Sequence, residues 1–581
     1  MLYQLITTGL TEELDNNEEK IFLLSSWCNT LEMEAFLKEK NKLIFPYHWK
    51  DKNKFNLDYK YLSVIYERNL EIISESLSKK HSIGNITYWR LIIGSWLRQF
   101  SDIVYDRYSQ IKLANKNYKL FTKLVAHEKD KLADLNYTEF YYKSKTDSWN
   151  HILIGNIWKE LKLTYKISQN KFNNNEIFYS GKKVKIKELI NLINFKLVKN
   201  NRIFIHNTNF NYKNFLNLSI QTDNFALKSY PIKQKIFTNK YDEEFRKSIS
   251  NILLKSNEYE EILSKLISLY LPKIYLEDFY KNRIFINKIF PKNPELIITT
   301  HSYALDDLFK IWVAEKKISN DSKYIINQHG GCIRLCKLDQ EEEHMIATSD
   351  EFISWGWTKE GEAICNNLPS IQLSNLNIKS KKNGNILIVL ASYPRYYYSS
   401  YSVPISEDYL IYLSNIEKIY NSINLNKNKK IIFRFDKEYT DGWEAEKRLR
   451  KKIPLLKKDH NIKIRDSLNN SRFVISTSNS TVFLETLSAN YPTVLFLDLN
   501  LYQLREDVLE DFINLNKIKI CHFEIETLSS HVNIINNELE QWWYQEKLQD
   551  IIKIFCKKYA KRSKKPVSEW ACQLKSKISK I

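Results

Sequence analysis

The hydrophobic pattern of the chain contains two short apolar runs that end abruptly in small polar residues. Residues 325–331 read Ile-Ile-Asn-Gln-His-Gly-Gly, and residues 473–481 read Phe-Val-Ile-Ser-Thr-Ser-Asn-Ser-Thr. Each pattern is typical of a β-strand followed by a bend and a helix start, which is where α/β sheets bind ligands. Because the runs lie roughly 150 residues apart, we predict two facing α/β domains with a cleft between them.

Apolar strands alternate with helical spacing in two blocks of the second half of the chain. The first block has strands near 296–300, 324–327 and 351–357, with a helix over 306–316. The second block has strands near 386–390, 430–434, 473–476 and 493–496, with helices near 406–423 and from about 481. This alternation predicts parallel sheets, so the fold class is α/β.

A segment rich in Asn, Ser and Lys at 374–383 separates the two blocks. We expect an N-terminal domain over 1–375, with helical insertions at about 110–290, and a C-terminal domain over 384–540. Residues 541–581 are expected to form a helix that crosses back onto the first domain, followed by a basic tail. Apolar residues at helical spacing also predict helices over 60–80 and 96–125 and one long helix between 241 and 270.

Composition favours a folded protein of a reducing compartment. The chain has 581 residues, 43% of them hydrophobic, which is ample for folded cores. Its seven cysteines form no paired metal-ligand set, and their scattered, odd number is typical of the cytosol. The N-terminus lacks the basic region of a signal peptide, and no apolar run reaches the ~18 residues of a membrane span. We therefore expect a soluble cytoplasmic protein.

The net charge of +20 is compatible with three kinds of partner: nucleic acid, an anionic membrane surface, or a phosphorylated or acidic substrate. A solvated surface is the simplest interpretation, and peripheral contact with anionic lipid at the inner membrane is the next. A nucleic-acid partner is not expected, because no known nucleic-acid module is visible. Six cations are concentrated in what we call the basic tail, which consists of Lys557, Lys558, Lys561, Arg562, Lys564 and Lys565.

The second polar run predicts an anion site. Backbone N–H groups and hydroxyls at a helix N-terminus favour negative charge. Glu485 lies one turn inside this helix, where its carboxylate could accept from ribose hydroxyls, and Arg434 at a strand end matches phosphate oxygens. An ordinary Ser/Thr helix cap is the alternative. The residues expected to bind the nucleotide in this run are Ser476, Thr477, Ser478, Asn479, Ser480 and Thr481.

The first polar run predicts a catalytic histidine. His329 ends a strand and precedes Gly330 and Gly331, which let a ligand approach the backbone closely. A neutral imidazole there could take a proton from an acceptor hydroxyl. Gln328 and the two glycines are also predicted to contact the nucleotide donor. His301 is a second candidate for the base, or a ligand of the phosphate. A purely structural histidine is the alternative in both cases.

Aromatic clusters in the first 100 residues are candidates for acceptor binding. Aromatic faces pack against sugar rings, but core aromatics are the more common interpretation of such clusters. The chain has no Gly-rich phosphate loop, metal-ligand cluster or serine elbow, which disfavours kinases, metal-dependent transferases and hydrolases. The candidate acceptor residues are Tyr47, His48, Trp49, Trp89 and Arg90.

These segments, taken in order with Trp355-Gly356-Trp357 and the residues around Glu485, resemble a transferase family of bacterial O-antigen and surface-polysaccharide loci. The resemblance covers almost the full length. It implies a GT-B glycosyltransferase with two Rossmann-like domains, similar to capsule enzymes that use CMP-activated ulosonic acids. The chain departs from the expected pattern at Cys332-Ile333-Arg334. The His-Gly element is also similar to that of CDP-glycerol phosphotransferases.

The sequence thus predicts a metal-independent glycosyltransferase without a cofactor. Residues 1–375 would bind a glycan, lipid-linked glycan or protein acceptor, and residues 384–540 a nucleotide-sugar donor, with a CMP-linked ulosonic or nonulosonic acid favoured. His329 would act as the base while Arg434 and the 476–481 run hold the leaving phosphate. The alternatives are a CDP-polyol phosphotransferase and a non-enzymatic basic protein that binds polysaccharide or nucleic acid.

Overall fold

Short parallel strands that alternate with helices make up most of the computed structural model. It describes the whole chain except residues 1, 16–17, 19, 126–130, 169–181, 233–239, 320–321, 366–367, 425–429 and 579–581. The side chains of residues 182–186, 188 and 192 are also outside the description.

The strands found in the described part of the chain are only two to six residues long. They are β1 (Tyr3–Ile6), β2 (Lys20–Leu23), β3 (Asn41–Ile44), β4 (Leu120–Val125), β5 (Tyr165–Ser168), β6 (Ile203–His206), β7 (Leu296–Thr299), β8 (Lys323–Asn327), β9 (Glu351–Ile353), β10 (Ile364–Cys365), β11 (Asn385–Val389), β12 (Ile431–Arg434), β13 (Ser471–Ser476), β14 (Thr493–Phe496) and β15 (Cys521–His522).

The helices in the same residues range from one turn to eight turns. They are α1 (Leu31–Phe36), α2 (Lys52–His81), α3 (Ile86–Ala114), α4 (Tyr137–Lys143), α5 (Asp147–Glu160), α6 (Lys182–Leu197), α7 (Tyr212–Gln221), α8 (Glu243–Ile252), α9 (Glu258–Tyr270), α10 (Phe279–Ile289), α11 (Ser302–Leu305), α12 (Asp307–Ser319), α13 (Gln340–Thr348), α14 (Ile371–Ser374), α15 (Asp408–Ser422), α16 (Ala445–Lys452), α17 (Ile464–Asn469), α18 (Thr481–Ser488), α19 (Glu506–Lys517), α20 (Ile525–Trp543), α21 (Glu546–Tyr559) and α22 (Pro566–Ser576). None of these is long and apolar enough to cross a membrane.

The chain divides into two units. The first contains residues 1–208, 226–324 and 394–400, and the second contains residues 209–225, 325–393 and 401–581. The division therefore falls inside β8, whereas the sequence predicts a boundary between 375 and 384. The terminal helices belong to the second unit, where the Trp570 indole donates to the Pro369 carbonyl at 2.8 Å.

Each unit has a parallel sheet, which confirms the α/β prediction. In the first unit β3, β2, β1, β4 and β5 lie side by side in that order, and β6 pairs with β7. In the second unit β12, β11, β13, β14 and β15 form a sheet, and β8 pairs with β9 and β9 with β10. A buried cluster that includes Leu387, Val474 and Tyr491 packs this second sheet.

Two sequence predictions about elements were wrong, and one group of strands was not predicted. The predicted helix over 96–125 ends at Ala114, and Leu120–Val125 forms β4 instead. The single helix expected between 241 and 270 is two helices, α8 and α9, because Leu253 is extended and Asn257 caps the second helix by accepting from the Glu260 N–H. Strands β1 to β3 were missed altogether.

A buried ionic network holds residues 394–400 within the first unit. The Arg395 guanidinium is paired with Asp147 and donates to the Trp27 carbonyl. Asp147 also accepts from the Gly9 N–H at 2.7 Å. Arg107 donates to the Tyr397 carbonyl at 2.9 Å. Since every one of these charges is removed from water, the network is stable only while its partners are all present.

We predict that Arg395→Ala lowers the free energy of unfolding by about 3–5 kcal/mol, because it leaves the Asp147 carboxylate buried without its cation. Arg90→Ala is the matched control. It removes a surface pair with Glu67, which is half exposed, and should change the stability by at most about 1 kcal/mol. Urea unfolding of both variants measures the difference. Equal losses would show that the network does not anchor residues 394–400.

Candidate functional site

The loop after β13 is shaped by its own hydroxyl groups. The Thr477 hydroxyl donates to the Val389 carbonyl at 2.8 Å, the Ser476 hydroxyl to the Ser478 carbonyl at 2.9 Å, and the Ser478 hydroxyl to Ser480 Oγ at 2.9 Å. Asn479 is buried, and its Nδ2 has no hydrogen-bond partner among the described residues. The loop is therefore rigid and still holds an unused buried donor.

Helix α18 starts directly after this loop. Ser480 is its N-cap residue, but the Ser480 side chain makes no capping hydrogen bond to the first turn. The first N–H groups of any helix lack partners within the helix, and their partial positive charge favours an anion. The binding of phosphate oxygens at the start of α18 stays a prediction.

The Gly-Gly loop after β8 packs against the start of α18. The Gly331 N–H donates to Thr481 Oγ1 at 3.1 Å. A Cβ atom on Gly331 would lie 2.9 Å from the backbone N and Cα of Thr481, whereas one on Gly330 would meet only Thr481 Oγ1 at 3.6 Å. The two polar runs of the sequence are therefore neighbours, and glycine is required at position 331 because backbone meets backbone there.

Gln328 fixes the conformation of this loop. Its amide Nε2 donates to the Gly330 carbonyl at 2.7 Å, and its Oε1 accepts from the Trp355 N–H and the Trp357 indole, each at 2.8 Å. Gln328 is only 2% exposed. Its polar atoms are thus used to position the loop, and this role explains the Trp-Gly-Trp segment of the sequence.

The remainder of the loop after β8 runs along the carboxyl ends of the second sheet. The Lys337 N–H donates to the Gln503 carbonyl at 2.8 Å, after β14, and the Ser402 N–H to the Leu338 carbonyl at 3.0 Å, after β11. Together with the contact at Thr481, the loop touches the segments that follow three strands of the sheet. This is the edge where α/β proteins bind ligands.

Sequence reasoning missed a partly buried ion pair that contacts this loop. Glu342 accepts from the Arg505 guanidinium at 2.9 Å and from the Arg334 N–H at 2.5 Å. Arg334 has a φ of +74°, a conformation that favours glycine. The only sequence signal was the unexpected Cys332-Ile333-Arg334. Burial raises the pKa of the Cys332 thiol to about 12, so this cysteine is not a reactive thiolate.

Glu485 lies in α18, one turn inside the helix. Gln372 Nε2 donates to its carboxylate at 3.1 Å. Burial raises the pKa of Glu485 above its ordinary 4.5, and the Gln372 hydrogen bond only partly opposes this. A desolvated carboxylate one turn inside a helix is the kind of group that functional sites contain.

Arg434 is close to the loop in the sheet, but its guanidinium is engaged elsewhere. Val389 of β11 is paired with Arg434 of β12 on one side and with Ser476 of β13 on the other. Two inter-strand spacings therefore separate Arg434 from the start of the loop. The guanidinium donates to Asp459 at 2.6 Å and to Ser467 Oγ at 2.9 Å. These contacts give Arg434 a structural role, and its predicted contact with phosphate stays a prediction.

The two candidate bases lie in different units. His329 is half-buried in the second unit, and its carbonyl accepts from Asn209 Nδ2 at 3.3 Å. His301 precedes α11 in the first unit, after β7. Each follows the carboxyl end of a strand, as the sequence predicts. Only His329 adjoins the Gly-Gly loop.

Four of the five candidate acceptor residues have core roles in the first unit, and the fifth, Arg90, pairs with Glu67 at the surface. His48 Nε2 is 3.0 Å from Asp106, the Trp49 indole donates to Asp58 at 2.7 Å, and the Trp89 indole donates to Ser78 at 2.9 Å. Burial lowers the pKa of His48, although the Asp106 hydrogen bond opposes this. Tyr47 donates to Asp106. These rings, all less than 10% exposed, favour the core interpretation.

The basic tail is only partly a free surface. Lys558 pairs with Asp511 at 2.6 Å, and the Arg562 guanidinium donates to the Ser488 carbonyl at 2.6 Å, at the end of α18. Lys557, Lys564 and Lys565 are exposed. Membrane contact stays a prediction, carried mainly by these three. Among the described residues, no group of three or more His, Cys, Asp or Glu side chains is arranged to hold a metal ion.

The chain belongs to the LIC12162 family of transferases, whose family profile matches residues 3–574. This match confirms that the resemblance seen in the motifs is to a transferase family. No curated protein matches the sequence at a significant level.

Three solved structures are similar to the chain at low identity. MurG of Acinetobacter baumannii has 8% identity and a TM-score of 0.32, with 65% of this chain and 99% of that chain covered. A mutant O-GlcNAc transferase of Thermobaculum terrenum has 8% identity and a TM-score of 0.33, with 84% of this chain and 83% of that chain covered. An E. coli trehalose-6-phosphate structure bound with UDP-2-fluoro glucose has 10% identity and a TM-score of 0.33, covering 65% and 99%.

We predict that Gly331→Ala lowers the free energy of unfolding by about 1–3 kcal/mol, since its methyl group would overlap the Thr481 backbone. Gly330→Ala is the control and should be neutral or stabilising by about 0.4–1 kcal/mol, because alanine restricts the unfolded chain. Urea unfolding of both variants measures this. Equal free energies of unfolding for the two variants would contradict the close approach of Gly331 to the Thr481 backbone.

We predict that Glu485→Gln stabilises the protein at pH 7 but not at pH 4. The raised pKa means that the folded chain binds the proton more tightly than the unfolded chain. The stability contributed by Glu485 is therefore complete below pH 4.5 and is lost as pH rises through the folded pKa. Unfolding at both pH values tests this, with exposed Glu510→Gln as control. The same pH profile in both variants would contradict the desolvation of Glu485.

Proposed function

We propose that the protein transfers a glycosyl group from a nucleotide-activated donor to a surface glycan or protein acceptor. Transferase chemistry follows from its family. The donor is proposed to be a CMP-linked ulosonic or nonulosonic acid, in line with the resemblance of the motifs to capsule enzymes. A CDP-polyol donor is the alternative, and because both reactions release CMP, supplying each donor separately distinguishes them.

The observation that carries the proposal is the packing of Gly331 on the start of α18. It brings His329 and the 476–481 loop to one edge of the second sheet. The α18 N–H groups would hold the phosphate, with Asn479 Nδ2 as a further donor. Glu485 would accept from the ribose hydroxyls. A dipole and fixed donors of this kind stabilise a leaving phosphate without reorganising during the reaction.

His329 is proposed as the general base. It directly precedes Gly330 and Gly331, whose loop packs on the start of α18. A neutral imidazole at this position would take the proton from the acceptor hydroxyl while the anomeric carbon–phosphate oxygen bond breaks. We propose that the reaction needs no metal, because the helix dipole supplies the positive potential at the phosphate.

We predict that the protein releases CMP from a CMP-linked ulosonic acid in the presence of acceptor and EDTA. His329→Ala should lower turnover by about 10²–10⁴-fold, the usual share of general base catalysis, with donor affinity nearly unchanged. His460→Ala, an exposed histidine of the same unit, is the control. Coupled CMP detection measures the rate. Full activity of His329→Ala, or activity restored only by Mg²⁺ or Mn²⁺, would contradict this mechanism.

A further inference from the structure

A cavity lies in the second unit, between α20, α21 and the segment that joins α19 to β15. Its volume is about 460 Å³, which is in the range of sites for small ligands. Lys517 and Lys519 precede β15 and so lie toward the amino edge of the second sheet. Ser476–Thr481 follow β13, at the opposite edge. The cavity is therefore separate from the candidate site described above.

The charged groups that line this cavity are mainly cations. Lys517, Lys519 and Lys547 contribute positive charge, and Glu538 is the acidic residue among the lining residues. All four are exposed, so their charges are solvated until a ligand enters. Lys519 also has a φ of +63°, where glycine or asparagine would be favoured. The lining therefore favours an anion.

A pair of histidines adds a neutral donor. His522 Nε2 is 3.1 Å from the Lys519 carbonyl, which can only accept, so His522 carries its hydrogen on Nε2. His531 Nδ1 lies 3.1 Å from His522 Nε2. Because His522 Nε2 carries a hydrogen, His531 Nδ1 carries none and is an acceptor. Burial lowers the pKa of His522 to about 4 and that of His531 to about 3, so both are neutral at pH 7.

The tautomers of this pair leave His531 with its hydrogen on Nε2. His531 is 8% exposed and lines the cavity, and its Nε2 has no hydrogen-bond partner among the described residues. A buried donor without a partner costs about 1–3 kcal/mol. An acceptor oxygen of a ligand would remove this penalty.

The remaining walls of the cavity are largely apolar. Trp542, Ile535 and Leu548 are buried and line it, and the Trp542 ring lies 4.7 Å from the His531 ring, edge to face. Aromatic and aliphatic walls beside several donors fit a ligand with one apolar end and one anionic end. Three cations favour a dianion, and a phosphomonoester carries about −1.5 to −2 charges at pH 7.

We propose that this cavity binds a phosphomonoester carried on an apolar or aromatic group. The lysines hold the phosphate oxygens, His531 donates to one of them, and the Trp542 wall contacts the apolar group. The proposal does not depend on the transferase mechanism, because none of these residues belongs to the candidate catalytic site.

Calorimetric titration of the full chain with phenyl phosphate tests the proposal. The parent should bind phenyl phosphate roughly tenfold or more tightly than benzoate, which has the same ring but a single charge. The double variant Lys519→Gln/Lys547→Gln should lose roughly tenfold or more in affinity, or one binding site, the usual loss for a charged hydrogen bond. Lys553→Gln, on the same helix α21 but outside the cavity, should bind like the parent.

Three results would overturn the proposal. These are no binding of phenyl phosphate at millimolar concentration, equal affinity for benzoate, and unchanged affinity and stoichiometry in the double variant. A second arm uses phosphatidylcholine vesicles with and without phosphatidic acid, a lipid phosphomonoester. Co-sedimentation that the double variant loses assigns the ligand to a membrane. Phenyl phosphate binding without co-sedimentation assigns it to a soluble phosphomonoester.

Discussion

The close approach of Gly331 to the backbone of Thr481 is the contact on which the candidate site depends. Without this contact, the loop after β8 would not be held against the start of α18. Glycine allows the approach, and the Gln328 amide holds the loop in the conformation that makes it. Hydrogen bonds within one unit therefore fix the start of α18, the loop and the sheet edge relative to one another. Such preorganisation is what electrostatic stabilisation of a leaving phosphate requires.

Buried polar groups in this protein serve two different purposes. In the first unit the charges of Arg395 and Asp147 pair with each other and hold residues 394–400. In the sequence, this segment lies between two stretches that belong to the second unit. At the start of α18 and in the cavity, Asn479 Nδ2 and His531 Nε2 are buried and have no hydrogen-bond partner in the part of the chain that the structure describes. Buried donors are normally paired, and each of these two lies where a ligand oxygen is proposed to bind.

Much of the second sheet could be predicted from the sequence, because its strands are apolar runs bounded by polar turns. The first sheet could not be. Strand β3, for example, has no buried residue, and β4 continues an apolar pattern that reads as part of α3. The loop at 476–481 was predicted correctly as a helix start, since its hydroxyls directly precede α18. The ion pair between Arg434 and Asp459 was not predictable, because Asp459 lies 25 residues further along the chain.

A crystal structure with CMP bound tests the central claim most directly. The account predicts a phosphate oxygen about 2.7–3.2 Å from the backbone N–H groups that open α18, with the ribose hydroxyls directed toward Glu485. Clear density for CMP elsewhere, with the start of α18 left without a phosphate, would contradict it.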